Sequence, residues 1–353
     1  FLNNNVTFIW IYIAAECSAV AAGGMQRGNK PVNRAAWFAI LKNLFWREKD
    51  TLQYFHMDWL QTLTDPHFLR WLVNFAYASL VQPEVNVQRH QSMLNFTIWS
   101  IDKFGKNNSE VSDIQDVISA CHYAPRGALL LNKDKSGSAE PGQLVTSTAD
   151  ILAIEPFLGT SWPGPAETLP TKAFHEYESS NGNSEIFTQK LAEKLEKDPV
   201  YDVTFYYNTV VDGFVTNHDA KKIIVKGIRT IPSSGDKKSG TSNSGTKPPM
   251  IITTADSEDD EEAAIVVAAG SWTPKLMWKL DMFVPVYPLK GYCLRINEVE
   301  SQPKPQVRGI VTDGILFFSQ LGQQLRIASM GEFSGWNTSP TPGVDACFRE
   351  CRV

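Results

Sequence analysis

Several of the short motifs that reveal an enzyme at a glance are missing from this chain of 353 residues. It has no GxGxxG, no nucleotide P-loop, no GxSxG, no HExxH and no internal repeat, which closes the shortest routes to a phosphate cradle, a serine hydrolase, a zinc protease or a solenoid. Cysteine is sparse: Cys17, Cys121, Cys293, Cys347 and Cys351 are an odd number at scattered positions, unlike the paired framework of a small secreted domain. Cys347 and Cys351 form a CxxxC with no second Cys or His pair near them, so no metal site is expected. Long apolar runs are also lacking. The longest candidate, "VTFIWIYIAA" at residues 6 to 15, has about half the length of a membrane-spanning helix, so no transmembrane segment is expected. "FLNNN" lacks the basic start of a secretory leader, and sequons beginning at Asn5, Asn95, Asn107 and Asn337 gain no meaning without one. Positive charge is not in excess either: 33 Lys and Arg face 38 Asp and Glu, a net charge of −5, which excludes a nucleic-acid surface. An intracellular location, cytoplasmic or organellar, is the expectation.

What the chain does contain is core-forming material, with 43% hydrophobic and 11% aromatic residues. The segment 6 to 15 reads as a buried strand because it is rich in β-branched and aromatic residues. In "TDPHFLRWLVNFAYASL", Asp65 is an N-cap, Pro66 a first helical residue, and Phe68, Leu72 and Phe75 form one apolar stripe; aromatics at this spacing read as core. A second helix is expected in "NSEIFTQKLAEKLEK", capped by Asn183, striped by Phe187, Leu191 and Leu195, and supported by a Glu193–Lys197 pair. "VTFYYNTVV" and "KKIIVKGIRTI" are predicted neighbouring strands joined through "GFVTNHDA", where Asn217 and Asp219 suit a turn. Residues 232 to 262, polar, Ser-rich and ending in "DSEDDEE", are expected to be one disordered, solvated insertion.

That insertion gives way to "AAIVVAAG", a run without a polar side chain from Ala263 to Gly270. Its composition predicts a strand covered on both faces of a parallel sheet. Ligands of open α/β sheets bind beyond the carboxyl ends of strands, and Gly270 there would let a flat or charged cofactor approach the backbone. Thr273 is the expected cap and Pro274 the first residue of the helix that follows.

At this point the residues resemble a known family. "IVVAAGSWTPKL", "VPVYPLKGYCLRI" and "LRIASMGEFSGW", preceded in order by "ECSAVAAGGMQR", "RGALLLNK", "DILAIEPFL" and "NGNSEIFTQKLAE", are similar to the FAD-dependent oxidoreductases of the D-amino-acid oxidase superfamily, most closely its D-amino-acid dehydrogenase branch. The resemblance covers roughly Ala14 to Asn337. It implies an α/β fold in which a Rossmann-like FAD-binding domain is interleaved with a mixed-sheet α+β substrate domain. The FAD domain would comprise residues 1–45 and 181–280, the substrate domain 46–180 and 281–337, and a tail 338–353. The implied activity is oxidation of a D-amino acid, or a related amine, by hydride transfer from the substrate Cα to flavin N5, giving an imino acid that water converts to a 2-oxo acid and ammonia. No catalytic base is required if the amine binds neutral, and none is assigned.

By the same resemblance, Ser18, Ala22, Gly23, Gly24 and Met25 line the flavin, the backbone of Val211 meets the adenine, and Ala269, Gly270, Ser271 and Trp272 contact the cofactor near the ribityl chain and pyrophosphate. Tyr292 and Glu332 are the substrate candidates, Tyr292 as a hydrogen-bonding wall and Glu332 as a structural or site carboxylate, with His122 and Tyr123 able to reach the same face. The partners implied are a small amino-acid substrate and an electron acceptor that the residues do not specify. The sequence departs from the family's pattern at both ends. The GxGxxG unit would precede Phe1, the ribose-binding acid is not found in "VTFIWIYI", and the family's arginine-bearing segment after "EFSGW" is replaced by "NTSPTPGVDACFRECRV". Truncation at both ends is expected on this reading. The alternative these departures leave open is a flavin-free remnant of the fold that serves as a binding or structural protein.

Overall fold

The structure is a computed structural model that describes residues 5–9, 24–25, 55–57, 59–105, 109–125, 127–134, 141–161, 165–200, 202–219, 222–232, 250–253, 264–297, 305–307, 309–312 and 316–341. In chain order the described elements begin with β1 (Asn5–Ile9), β2 (Gly24–Met25), β3 (Phe55–Met57), α1 (Trp59–Thr64), α2 (Pro66–Ala76), α3 (Pro83–Gly105) and α4 (Gln115–Ala120). They continue with β4 (Ala124–Pro125), β5 (Ala128–Leu131), β6 (Gly142–Val145), α5 (Thr148–Ile154), α6 (Phe157–Ser161), β7 (Ala173–Glu176), β8 (Ser180–Asn181) and α7 (Ser184–Glu196). The remainder are β9 (Asp202–Tyr206), β10 (Thr209–Asp219), β11 (Lys222–Pro232), β12 (Met250–Thr253), α8 (Thr273–Met277), β13 (Lys290–Ile296), β14 (Ile310–Thr312), β15 (Leu316–Leu321) and β16 (Gln324–Phe333).

The chain divides into two units, Phe1–Ala15 with Thr188–Pro288, and Glu16–Phe187 with Leu289–Val353. In the first, β1 pairs in parallel with β9, Asn5 opposite Asp202, while β10, β11 and β12 form an antiparallel sheet. The second is built on an eight-stranded mixed sheet in the order β13-β16-β15-β14-β5-β7-β6, with β3 added beside β16. Among the described strands there, β14 with β5 and β16 with β3 pair in parallel. Its core gathers Leu129, Leu131, Val145, Ile151, Phe157, Leu158, Ala173, Val307 and Ile310. Glu155, at the end of α5 in the "DILAIEPFL" segment, is fully buried and accepts from three backbone amides: Phe157 at 3.2 Å, Gln306 at 2.7 Å and Val307 at 2.9 Å. It thereby ties the α5–α6 corner to the chain entering β14, and burial pushes its carboxyl up against the pull of the three amides.

Local signals explain several elements. Asp65 caps α2 by accepting from the His67 amide at 2.9 Å, Pro66 opens the helix, and Phe68 is buried against Trp71 and Phe333 while Val73 faces water. Asn183 caps α7 by accepting from the Glu185 and Ile186 amides. The expected Glu193–Lys197 pair gives way to Lys190, three residues earlier on the same face, whose ammonium reaches Glu193 at 2.9 Å.

Other expectations are corrected. "GFVTNHDA" is not a turn through Gly213 to Asp219: those residues belong to β10, Asn217 opposite Ile224, and the hairpin closes beyond Asp219, because the ladder to β11 outweighs the turn preference of Asn and Asp. The insertion is not one excursion, since Met250–Thr253 pairs with Gly227–Thr230 as β12; residues 233–249 and 254–263 lie outside the described residues. Residues 264–269 are not a strand covered on both faces. They have no regular secondary structure, exposure alternates, Val266 is 85% exposed, and no described strand pairs with them. An apolar run specifies avoidance of water but not the partner that provides it. Thr273 is not the cap of α8, because the chain enters that helix from a 3₁₀ turn at Gly270–Trp272 and Thr273 is already helical at φ −49° and ψ −44°.

Candidate cofactor and substrate sites

In the first unit the backbone changes direction at Gly270, whose φ of 52° lies in the left-handed region. A Cβ placed there would meet nothing within 4 Å, so the bare backbone faces open space. Glycine adopts this conformation without the cost a side chain would incur, and it leaves room for a flat group to come against the peptide. Ala269 precedes the turn, Ser271 and Trp272 complete it, and the ammonium of Lys275 lies 5.4 Å from the Trp272 ring.

Val211, the other candidate of this unit, lies on β10 opposite Thr230. Immediately after it the ladder slips: Val211 pairs with Thr230 and Gly213 with Arg229, so Asp212 is the extra residue of a β-bulge. Asp212 is thereby freed to accept from Arg229 Nε at 3.1 Å on one carboxylate oxygen and from Lys279 Nζ at 3.1 Å on the other. Lys279 also donates to the Asp212 carbonyl. Hydrogen bonds from Lys279 and Arg229, together with their charges, hold the Asp212 carboxyl below its ordinary value. Gly213 makes room for this arrangement, since a Cβ there would fall 2.9 Å from Arg229 Nη2.

In the second unit, β13 and β16 bring Tyr292 and Glu332 together. Lys290 stands directly opposite Glu332, and the register slips between Gly291 and Tyr292, letting the Tyr292 hydroxyl donate to the Glu332 carboxylate. That carboxylate is 2% exposed and also accepts from Thr341 Oγ1, at 2.7 and 2.9 Å to its two oxygens, while Lys290 Nζ lies at 3.1 Å. Burial alone would raise the Glu332 carboxyl, but donation from Tyr292, Thr341 and Lys290 and the lysine's charge outweigh it and hold the group below the usual carboxylate range. Lys290 further donates to the Ser339 carbonyl at 2.9 Å, and the Thr341 amide donates to the Tyr292 hydroxyl at 3.2 Å. Both candidates are therefore held in one network with the chain that follows β16.

Of the other candidates, Ser18, Ala22 and Gly23 lie outside the described residues. Gly24 and Met25 form β2, opposite Asn181 and Ser180 of β8, and β8 also carries β4, Ala124 opposite Asn181. Tyr123 shares a hydrogen bond with Ser180 at 3.1 Å, and His122 is exposed with a left-handed φ of 56°. Sequence reasoning passed over Asp212, Arg229, Lys279, Lys290 and Thr341. For Asp212 a signal existed, because a glycine inside an apolar strand, as in "VVDGF", marks a bulge or a close approach. The partners on other elements carried none.

A profile of the family described as FAD dependent oxidoreductase matches residues 107–351, more than half of the chain. The chain belongs to this family, which is described as FAD dependent. Among individual proteins, it is similar to a D-amino acid dehydrogenase of Dechloromonas aromatica, 40% identical over 75 residues that make up 21% of this chain and 18% of the relative. It is likewise similar to D-amino acid dehydrogenase 2 of Mesorhizobium japonicum, 36% identical over 70 residues, 20% of this chain and 17% of the relative. The matched segments thus span less than a fifth of these relatives' own length. In fold, the chain is similar to glycine oxidase from Bacillus cereus ATCC 14579, with a TM-score of 0.51 and 13% identity, covering 98% of this chain and 71% of that one.

Among the described residues, Gly270 leaves room for FAD to come against the backbone. Its Cβ-free backbone is open on that side, which permits the close approach of a flat cofactor.

Proposed function

We propose that this chain oxidises the amine of a small amino acid, a D-amino acid in first place, to the imino acid, which water then hydrolyses to a 2-oxo acid and ammonia. The observation that carries the proposal is the 75-residue segment 40% identical to a D-amino acid dehydrogenase, lying in a chain of the FAD dependent oxidoreductase family. FAD, when bound, supplies at N5 the acceptor for the hydride that leaves the substrate Cα. Ala269, Gly270, Ser271 and Trp272 are the residues proposed to hold it through the open turn, Val211 is proposed to meet the adenine through its backbone, and Gly24 and Met25 are proposed to line the flavin.

For the substrate, the geometry favours Tyr292 over Glu332. The Glu332 carboxylate is buried and already accepts from a phenol, an alcohol and an ammonium, which stabilise its charged form and make it a poor base toward the substrate. Its role is to orient the Tyr292 hydroxyl, whose oxygen retains one lone pair for a substrate group after accepting from the Thr341 amide. No side-chain base is needed when the amine arrives neutral.

The test is spectroscopic. Purified protein should carry, or take up, yellow FAD in about equimolar amount, and anaerobic addition of D-amino acids should bleach it. A flavin that remains oxidised with D-amino acids, and is bleached by L-amino acids or secondary amines instead, would reassign the substrate.

A further inference from the structure

We propose that Asp212 is a positioning residue for FAD, in that its contacts with Lys279 and Arg229 fix the Val211 strand and the Gly270 turn in the one arrangement that receives the cofactor. The inference rests on the proposed placement of FAD along those two segments and concerns what keeps them in place.

Three observations converge. First, Asp212 is not a ladder residue but the extra residue of a bulge, and a bulge re-aims the side chain at the expense of local pairing. Second, the re-aimed carboxylate joins elements far apart in sequence: Arg229 belongs to β11, while Lys279 lies in the 3₁₀ turn Trp278–Leu280 that continues α8 and therefore the Gly270 turn before it. Third, Lys279 bonds the backbone carbonyl as well as the carboxylate of Asp212, so the lysine reads the bulged main chain itself, one peptide from Val211. Elsewhere in this unit, Lys190 with Glu193 and Tyr207 with Glu196 join α7 to itself or to the chain just after β9.

Because all three side chains are partly exposed, at 37%, 50% and 44%, the contacts should contribute little to global stability. Geometry is what they control. A binding site needs its groups held within a fraction of an ångström, and loosening that frame weakens affinity without unfolding the protein.

The experiment is a titration of flavin-stripped protein with FAD, followed by flavin fluorescence, for the wild type, Asp212→Asn, Lys279→Met and the double variant, with melting of each apoprotein measured in parallel. We expect each single variant to weaken FAD binding roughly two- to fivefold, the double variant to be no worse than the weaker single one, and Lys279→Arg to restore most of the affinity. High salt should erase the difference between wild type and Asp212→Asn by screening the exposed contacts. Wild-type affinity in both single variants overturns the proposal, as does a loss of affinity that merely follows a lowered melting temperature. A wild-type protein that takes up no FAD overturns the placement of the cofactor and this proposal with it, whereas normal uptake with unaffected variants overturns this proposal alone.

Discussion

Glu332 is a charged group at 2% exposure whose stabilising effect depends on pH. Its folded-state carboxyl lies below its ordinary value, so its contribution is fully present above the unfolded-state pKa of about 4.3 and is lost as pH falls through the lower folded value. The difference in urea stability between wild type and Glu332→Gln should therefore shrink steadily on acidification below about pH 5. At neutral pH, Glu332→Ala leaves Lys290, 14% exposed, without its counter-charge and should lower stability by about 3 kcal/mol. Gly270 gives a contrasting prediction. Gly270→Ala meets no atom, so only its left-handed backbone is penalised, at about 1 kcal/mol in thermal unfolding, while the added methyl intrudes where FAD is proposed to lie. Its loss of FAD affinity should exceed its loss of stability.

The helices show which elements can be read from local sequence. Asp65 and Asn183 were legible as caps because a cap is a relation between residues two or three apart. Asn183 also accepts from Arg326, a fully buried guanidinium on β16, at 3.4 Å. Asn183→Ala should accordingly cost more than the roughly 1 kcal/mol of an ordinary cap, and Asp65→Ala about that ordinary amount, as measured by chemical denaturation. Strands were harder to read. "AAIVVAAG" has the composition of a buried strand but pairs with no described strand, whereas "MIIT" at 250–253, expected to lie in the disordered insertion, does, since pairing depends on what the rest of the chain places alongside. The same logic divides the sites. The Gly270 turn could be found from its own neighbours, but the Asp212–Lys279 contact joins residues 67 apart and depends on a bulge, and the Lys290–Glu332 pair follows from the register of β13 on β16.

The two units differ in their cores among the described residues. The second has a connected buried cluster around Leu129, Ile151 and Ile310, while the buried hydrophobics described in the first are Ala192 and Tyr287. Backbone amides of β5, β14, β15 and β16 should therefore exchange with deuterium most slowly, and those of β10 and β11 sooner. Saturating FAD at about 100 times its dissociation constant should add about 2.7 kcal/mol, with the larger gain in protection within the first unit if the proposed placement holds. The parallel pairing of β1 with β9 also matters while the chain is being made. Residue 5 cannot meet residue 202 until the intervening chain has been synthesised, roughly 10 to 40 s at ribosomal rates. Throughout that interval the newborn "NVTFI" lacks the parallel partner that β9 later supplies, and its apolar side chains are open to other contacts.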